Sequence, residues 1–182
     1  MQLSATGFNQ FIQDMGNWKE GNESLGGIHS WTTKDIFVID SLTFFGNMAM
    51  NHILQLVNRI GQKPQIQDFG NAMDLIKTVL ETLYNPAVRC NVLVLSHIQW
   101  QGDEANPSQR KGVVSALGNK LAPKVPRYFN NMIQVVKSGS GANIKREIHT
   151  TATFDIDLKV SKPSVVPPVM EPDLSKLFSL LK

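Results

Sequence analysis

The sequence predicts an α/β fold, and three observations carry that prediction. Asp35-Ile36-Phe37-Val38-Ile39-Asp40 sets four apolar residues between two carboxylates. It reads as a buried strand of a parallel sheet, with an acidic residue at the edge where open α/β sheets bind ligands. Asn91-Val92-Leu93-Val94-Leu95-Ser96-His97 is a second strand of the same kind. Apolar residues recur at helical spacing between the two. Strand, helical crossover and strand make a βαβ unit, so a right-handed parallel pairing is expected. The expected architecture is a mostly parallel central sheet followed by a C-terminal antiparallel hairpin.

Each element follows from local pattern. Phe8, Phe11, Ile12 and Met15 recur at helical spacing and predict a short amphipathic helix over residues 6–16. Gly16 to Thr33 reads as a polar, glycine-rich connection carrying Trp18 and Trp31. Two helices are expected at 47–60 and 67–84, divided by Gly61-Gln62-Lys63-Pro64. In the second, Phe69, Ala72, Met73, Ile76, Val79, Leu80 and Leu83 share one face, with Asp68 near the start as a cap. Residues 98–112 read as a polar loop, too long and hydrophilic to pack. A mixed segment with Pro123 and Pro126 leads to Met132–Lys137 and Ile144–Thr151, antiparallel strands around Ser138-Gly139-Ser140-Gly141-Ala142-Asn143. Ser161–Pro172 holds four prolines and reads as an extended linker, and Asp173–Lys182 as a short amphipathic helix. The expected organisation is a core over residues 1–160 and a tail over 161–182.

Composition bounds the function. A chain of 182 residues, 42% hydrophobic and 18% charged, has the make-up of a soluble globular domain. No apolar run approaches the roughly 20 residues of a membrane helix, and the first residues lack a signal peptide's pattern, so no membrane partner is expected. The single cysteine, Cys90, excludes an internal disulfide and a cysteine-based zinc site. Together these features point to the cytosol. The net charge of +3 hides an asymmetry: Ala105 to Arg146 holds no Asp or Glu, yet carries Arg110, Lys111, Lys120, Lys124, Arg127, Lys137, Lys145 and Arg146. A block of one sign suits an anionic partner, nucleic acid or nucleotide phosphates, and equally a solvated surface balanced by acidic residues elsewhere.

Asp35-Ile36-Phe37-Val38-Ile39-Asp40-Ser41-Leu42-Thr43 resembles the Walker B segment of RecA-like ATPases, and Val92-Leu93-Val94-Leu95-Ser96-His97-Ile98 resembles that family's next core strand. Gly118-Asn119-Lys120-Leu121-Ala122-Pro123-Lys124-Val125-Pro126-Arg127-Tyr128-Phe129 and Lys145-Arg146-Glu147-Ile148-His149-Thr150 are similar to the phage-encoded members that assist single-strand annealing and recombination. The resemblance covers roughly residues 30–180. It implies a partial RecA-like three-layer sandwich in the cytoplasm, a phage host's if the protein is phage-encoded. It also implies single-stranded DNA as partner, with a homo-oligomer or a separate P-loop-bearing segment as further partners.

Carried over by residue, the resemblance makes Asp40 the carboxylate that organises Mg²⁺ through water, with Ser41 beside it. The plainer reading is a strand-end aspartate capping a turn. Ser41 and Thr43 have a metal's water and the local backbone as alternative partners. His97 stands where relatives usually carry a glutamine that senses the γ-phosphate, with Gln99 as its rival and a satisfied strand-end histidine as the alternative. Trp100 would stack bases, or plug its loop, while Arg110, Lys111, Lys120, Lys124 and Arg127 would contact phosphates. Lys145 and Arg146 are candidate fingers towards a neighbouring subunit's nucleotide, or an exposed pair on a β-ribbon.

One departure weighs against ATP hydrolysis by this chain alone. A P-loop needs G-x-x-x-x-G-K-[ST], so that backbone N–H groups cradle phosphate. Gly112 to Gly118 has one residue too many between its glycines, then Asn119 before Lys120, and Leu121 in place of the hydroxyl. Gly21–Gly27 has no lysine after it, and no strand ending in glutamate precedes Asp40. Mg-ATP is therefore expected in a completed protein, with no tight binding to this chain alone. The absent P-loop strand is expected to leave a vacancy between the two core strands. Three explanations remain open: a longer polypeptide, a separate chain carrying the P-loop, or a degenerate relative that has abandoned ATP. The corresponding functions are the Walker B and DNA-binding portion of a RecA-like ATPase, or a non-catalytic nucleic-acid-binding or assembly module. A purely structural partner protein is the third.

Overall fold

The computed structural model describes residues 6–102, 106 and 109–181. They form two units, one holding the residues up to Ile98 together with Val114–Tyr128, the other Gln99–Val113 with everything from Phe129 onward. The expected boundary at 160–161 lies inside the second of these.

The first unit begins with α1 (Gly7–Gly16), whose Phe8 and Met15 are buried as the spacing requires. A hairpin follows, β1 (Trp18–Glu20) paired antiparallel with β2 (Glu23–Gly26), where only a connection was expected. Gly21, at φ +60°, makes its tight turn. Gly27 then lies so close to α1 that a Cβ would collide with the Gly16 carbonyl, and Ile28 N–H bonds the Met15 carbonyl at 3.0 Å.

Next come β3 (Ile36–Ile39), α2 (Leu42–Leu56), α3 (Ile66–Tyr84) and β4 (Asn91–Val94). β3 and β4 pair in parallel, from Ile36 opposite Asn91 to Ile39 opposite Val94. This is the predicted βαβ unit. The expected vacancy is not there, because the two strands bond to each other directly. Any further strand must therefore join at an outer edge of the pair. Phe37 and Ile39 are buried, whereas Ile36 and Val38 on the other face remain 48% and 50% exposed. Parallel sheets normally bury both faces, so this pair is only partly covered among the described residues.

Helix α3 buries Ala72, Ile76, Val79, Leu80 and Leu83 of its predicted face, while Met73 is half-buried and Phe69, in the first turn, is exposed. Asp68 lies one turn in and accepts the Gln65 N–H at 2.7 Å, which caps the helix as expected. Helix α2 starts five residues before the predicted position, because Leu42 N–H bonds the Leu95 carbonyl at 2.8 Å and turns the chain into a helix at the strand tip. A 3₁₀ segment, Ala122–Tyr128, buries Ala122, Val125 and Tyr128, and Tyr128 meets Tyr84 edge to face. Cys90 is buried, which pushes its thiol above the usual range.

The second unit takes in β5 (Ile98–Gln101) and β6 (Lys111–Val114) apart from their end residues Ile98 and Val114, and the two pair as a ribbon where a polar loop was expected. The β7 (Gln134–Ser138) and β8 (Lys145–His149) hairpin agrees with prediction. β9 (Val169–Met170) extends it by pairing with β8. The stretch expected to be a linker thus supplies a strand. It also buries Val166, and the Thr150 hydroxyl donates to the Pro167 carbonyl at 2.6 Å. A mostly parallel central sheet is not observed. Among the described residues β3–β4 is parallel, β1–β2, β7–β8 and β8–β9 are antiparallel, and an isolated parallel bridge joins Gly112 to Ile156. The fold is mixed α/β with short sheets and an antiparallel C-terminal hairpin. No helix is long and apolar enough to cross a membrane among these residues.

Helix α4 (Leu174–Leu181) closes the described chain and buries Leu177. Asp173 precedes it, accepting from the Ser175 hydroxyl and from the N–H groups of Ser175 and Lys176. The Ser175 hydroxyl is the main cause that holds the Asp173 carboxyl below the ordinary carboxylate range, followed by the Lys176 N–H. A depressed folded pKa means the cap is fully present above the unfolded carboxylate value and is lost as pH falls through the lower folded one. Amide exchange in α4 should accelerate, relative to α3, as acid protonates Asp173. Asp173→Ala should produce the same fraying at neutral pH; equal protection in the variant would show that the cap contributes nothing.

Candidate functional site

The paired strands β3 and β4 end at one edge, and the polar side chains just beyond them gather there. Asp40 follows β3, exposed, with no hydrogen bond or ion pair to its carboxylate among the described residues. The Asp40–Ser41 peptide is cis. Ser41 holds the N-cap position of α2 but is 5% exposed, and its Oγ meets neither backbone nor side chain. Thr43 takes the backbone, its hydroxyl donating to the Ser115 carbonyl at 3.1 Å.

His97 lies beyond β4, exposed, with Nδ1 3.2 Å from Thr43 Oγ1 and its ring edge-on to Phe44. Which of the two atoms donates follows the imidazole tautomer. Ser96 Oγ lies 2.9 Å from the His97 carbonyl and 3.2 Å from the Ser115 carbonyl, the two acceptors open to its one proton, and Ser115 N–H bonds the His97 carbonyl at 2.7 Å. Ser96 and Ser115 had no signal in the sequence. They are ordinary serines whose role depends on strand pairing.

The donor set at this edge, an open carboxylate and an orphaned buried hydroxyl, fits a cation held through water. It does not include a phosphate cradle. No group of three or more His, Cys, Asp or Glu residues that could hold a metal ion occurs among the described residues. The fit to Mg-ATP is therefore confined to the carboxylate side.

The ribbon carries the aromatic candidate. Trp100, in β5, is 44% exposed, and the Arg110 guanidinium lies 5.6 Å from the ring centre. Gln99 is half-buried in the same strand, on the far side of the unit division from His97. Lys111 Nζ donates to the Phe154 carbonyl at 2.7 Å, so this cation is engaged within its own unit. Lys120 and Lys124 are exposed in the first unit. Arg127 folds onto Tyr128, its Nη2 2.6 Å from the phenol oxygen and its guanidinium 4.8 Å from the ring centre. Lys145 and Arg146 are exposed on β8.

The structure therefore brings Asp40, Ser41 and His97 to one edge, and Trp100 and Arg110 to one ribbon. It spreads the other cations over both units. A scan against family models finds no match, and searches of curated proteins and of solved structures find none either.

Proposed function

We propose that this chain is the Walker B and DNA-binding portion of a RecA-like ATPase that acts on single-stranded DNA in recombination or annealing. It does not hydrolyse ATP by itself. The observation that carries the reading is the hydrogen-bonded set at the strand tips. His97 and Ser115 bond to each other through the backbone, and Thr43, three residues after Asp40, bonds to both. Ile98 follows His97 and Val114 precedes Ser115 in the chain, so both strands of the ribbon connect covalently to this set. A charge arriving beside Asp40 and His97 would act first on the residues that anchor the Trp100 ribbon. The direct pairing of β3 with β4 leaves no place between them for the family's P-loop strand, so a segment completing this chain would have to join at an outer edge of the pair.

A second reading is favoured by the missing phosphate cradle and by the direct pairing of β3 with β4, which leaves no vacancy for a P-loop strand. It is a non-catalytic module that binds nucleic acid, or assembles, on a degenerate RecA-like scaffold. Fluorescence anisotropy with a labelled single-stranded oligonucleotide, at two salt concentrations and with or without Mg-ATP, tests both. The expected result is salt-sensitive binding indifferent to Mg-ATP, with no nucleotide turnover. Absence of binding at low salt would overturn the single-strand reading in either form. Turnover of ATP by this chain would overturn the claim that it lacks a cradle.

A further inference from the structure

We propose that the tip of the β7–β8 hairpin is a second contact for the nucleic-acid backbone, in which Lys137, Lys145 and Arg146 receive phosphates. The inference rests on the single-strand reading above and extends it to a surface that the ribbon does not supply. The strand register places Lys137 directly opposite Arg146 on one face of the ribbon, while Lys145, opposite Ser138, alternates to the other face, which it shares with Glu147. Facing like charges destabilise a strand pair, so the arrangement works against the hairpin's own stability. No carboxylate relieves it among the described residues. Glu147 faces His149, 3.8 Å from its Nε2, and Glu171 is bonded to Lys176 Nζ at 2.5 Å. All three cations are exposed.

The neighbouring surface suits a strand of phosphates better than a small anion. A shallow cleft of about 620 Å³ runs beside the cluster, lined by Lys145, Arg146, Glu147, Val169, Met170 and Glu171. It is open and has no ring of donors that would enclose a single phosphate. Val169 and Met170 offer apolar contact to a sugar or base, while Lys145 and Arg146 offer positive charge beside the carboxylates of Glu147 and Glu171 in the same lining. The turn from Ser138 to Asn143 carries only Ser, Gly, Ala and Asn, so no bulky side chain holds a polymer away. Phosphate contacts of this kind position a strand without reading its sequence. Lys137 enters this surface only through the strand register.

The test compares binding of a labelled oligothymidylate to the full chain, to Lys137→Ala/Lys145→Ala/Arg146→Ala and to the charge-preserving Lys137→Arg/Lys145→Arg/Arg146→Lys, across 50–200 mM salt. The alanine variant should bind about tenfold more weakly, with a log–log salt slope shallower by about 2. Its melting temperature should be unchanged or raised, since a repulsion has been removed. The charge-preserving variant should bind like the natural sequence. Binding by the alanine variant with natural affinity and slope would overturn the proposal and leave the ribbon reading standing. Equal loss in both variants would show that charge is not the agent, and would overturn it as well. Failure of the natural sequence to bind would instead remove the single-strand reading on which the proposal rests.

Discussion

Asp68→Ala should destabilise the first unit by about 3–5 kcal/mol, because it strands a buried cation. Asp68 is 1% exposed and accepts from Arg59 Nη2 at 2.5 Å and from the Gln65 N–H at 2.7 Å. Removing the carboxylate leaves the guanidinium largely buried without a counter-charge, while Arg59 Nη1 already lacks a partner among the described residues. It also frees an N–H at the start of α3. Burial decides the magnitude. Lys77 and Glu81, an exposed pair 3.7 Å apart on α3, should contribute only a few tenths of a kcal/mol. Asp68→Asn keeps an acceptor for Gln65 and should fall between natural sequence and alanine. The double variant Arg59→Met/Asp68→Leu removes both charges and should recover most of the loss, which the single-variant sum would not predict. Urea unfolding of the four proteins checks this; a loss below about 1 kcal/mol for Asp68→Ala would mean that water reaches Arg59 and replaces its partner.

The same residue shows what the sequence made legible. Asp68 could be read as a cap because it stands at the head of a strong helical period, but its ionic partner could not. Arg59 lies nine residues away across a turn, and only the path of the chain through Asn58 and Gly61, both at positive φ, accompanies their approach. Helix α3 and the two core strands were readable because their apolar period reflects one buried face each. The β1–β2 hairpin was also readable in principle. Gly21-Asn22 between Glu20 and Glu23 is a two-residue turn signal, which the surrounding charges concealed.

The β5–β6 ribbon was missed for a different reason. Ile98-Gln99-Trp100-Gln101 does alternate, but its amides lower the mean hydropathy to that of a loop. β9 left no signal at all, since a strand of two residues exists only by pairing with β8. At the candidate site, Asp40, Ser41 and His97 were readable as strand-end polar residues. Ser96, Ser115 and the opposition of Lys137 to Arg146 were not, because they depend on register between distant segments. The one βαβ unit in the sequence accounts for one parallel pair, and the rest of the expected parallel sheet rested on the resemblance to RecA-like ATPases.

Trp100→Ala should weaken single-stranded DNA binding by about 10- to 100-fold, the effect of losing one base-stacking platform worth roughly 1–3 kcal/mol. The ring keeps 44% of its surface exposed, and the Arg110 guanidinium, 5.6 Å from its centre, is itself suited to a phosphate or a base face. The competing role, a hydrophobic plug for the ribbon, makes the opposite pair of predictions: a large fall in melting temperature and little change in affinity. Trp100→Phe separates them further, because a smaller aromatic ring still stacks and should retain most of the binding. Arg110→Ala should cost less and make the salt slope shallower by about 0.7, the signature of one lost phosphate contact to a single strand. Fluorescence gives an independent readout in a Trp18→Phe/Trp31→Phe background, which leaves Trp100 as the only indole of the three. Trp31 donates its Nε1–H to the Leu25 carbonyl at 2.8 Å, so that background needs its own stability control. Quenching of Trp100 on addition of oligothymidylate, lost in high salt together with binding, would place a base on the ring. Unquenched fluorescence with undiminished binding would move the DNA contact off the ribbon, leaving the exposed lysines of both units as its remaining carriers.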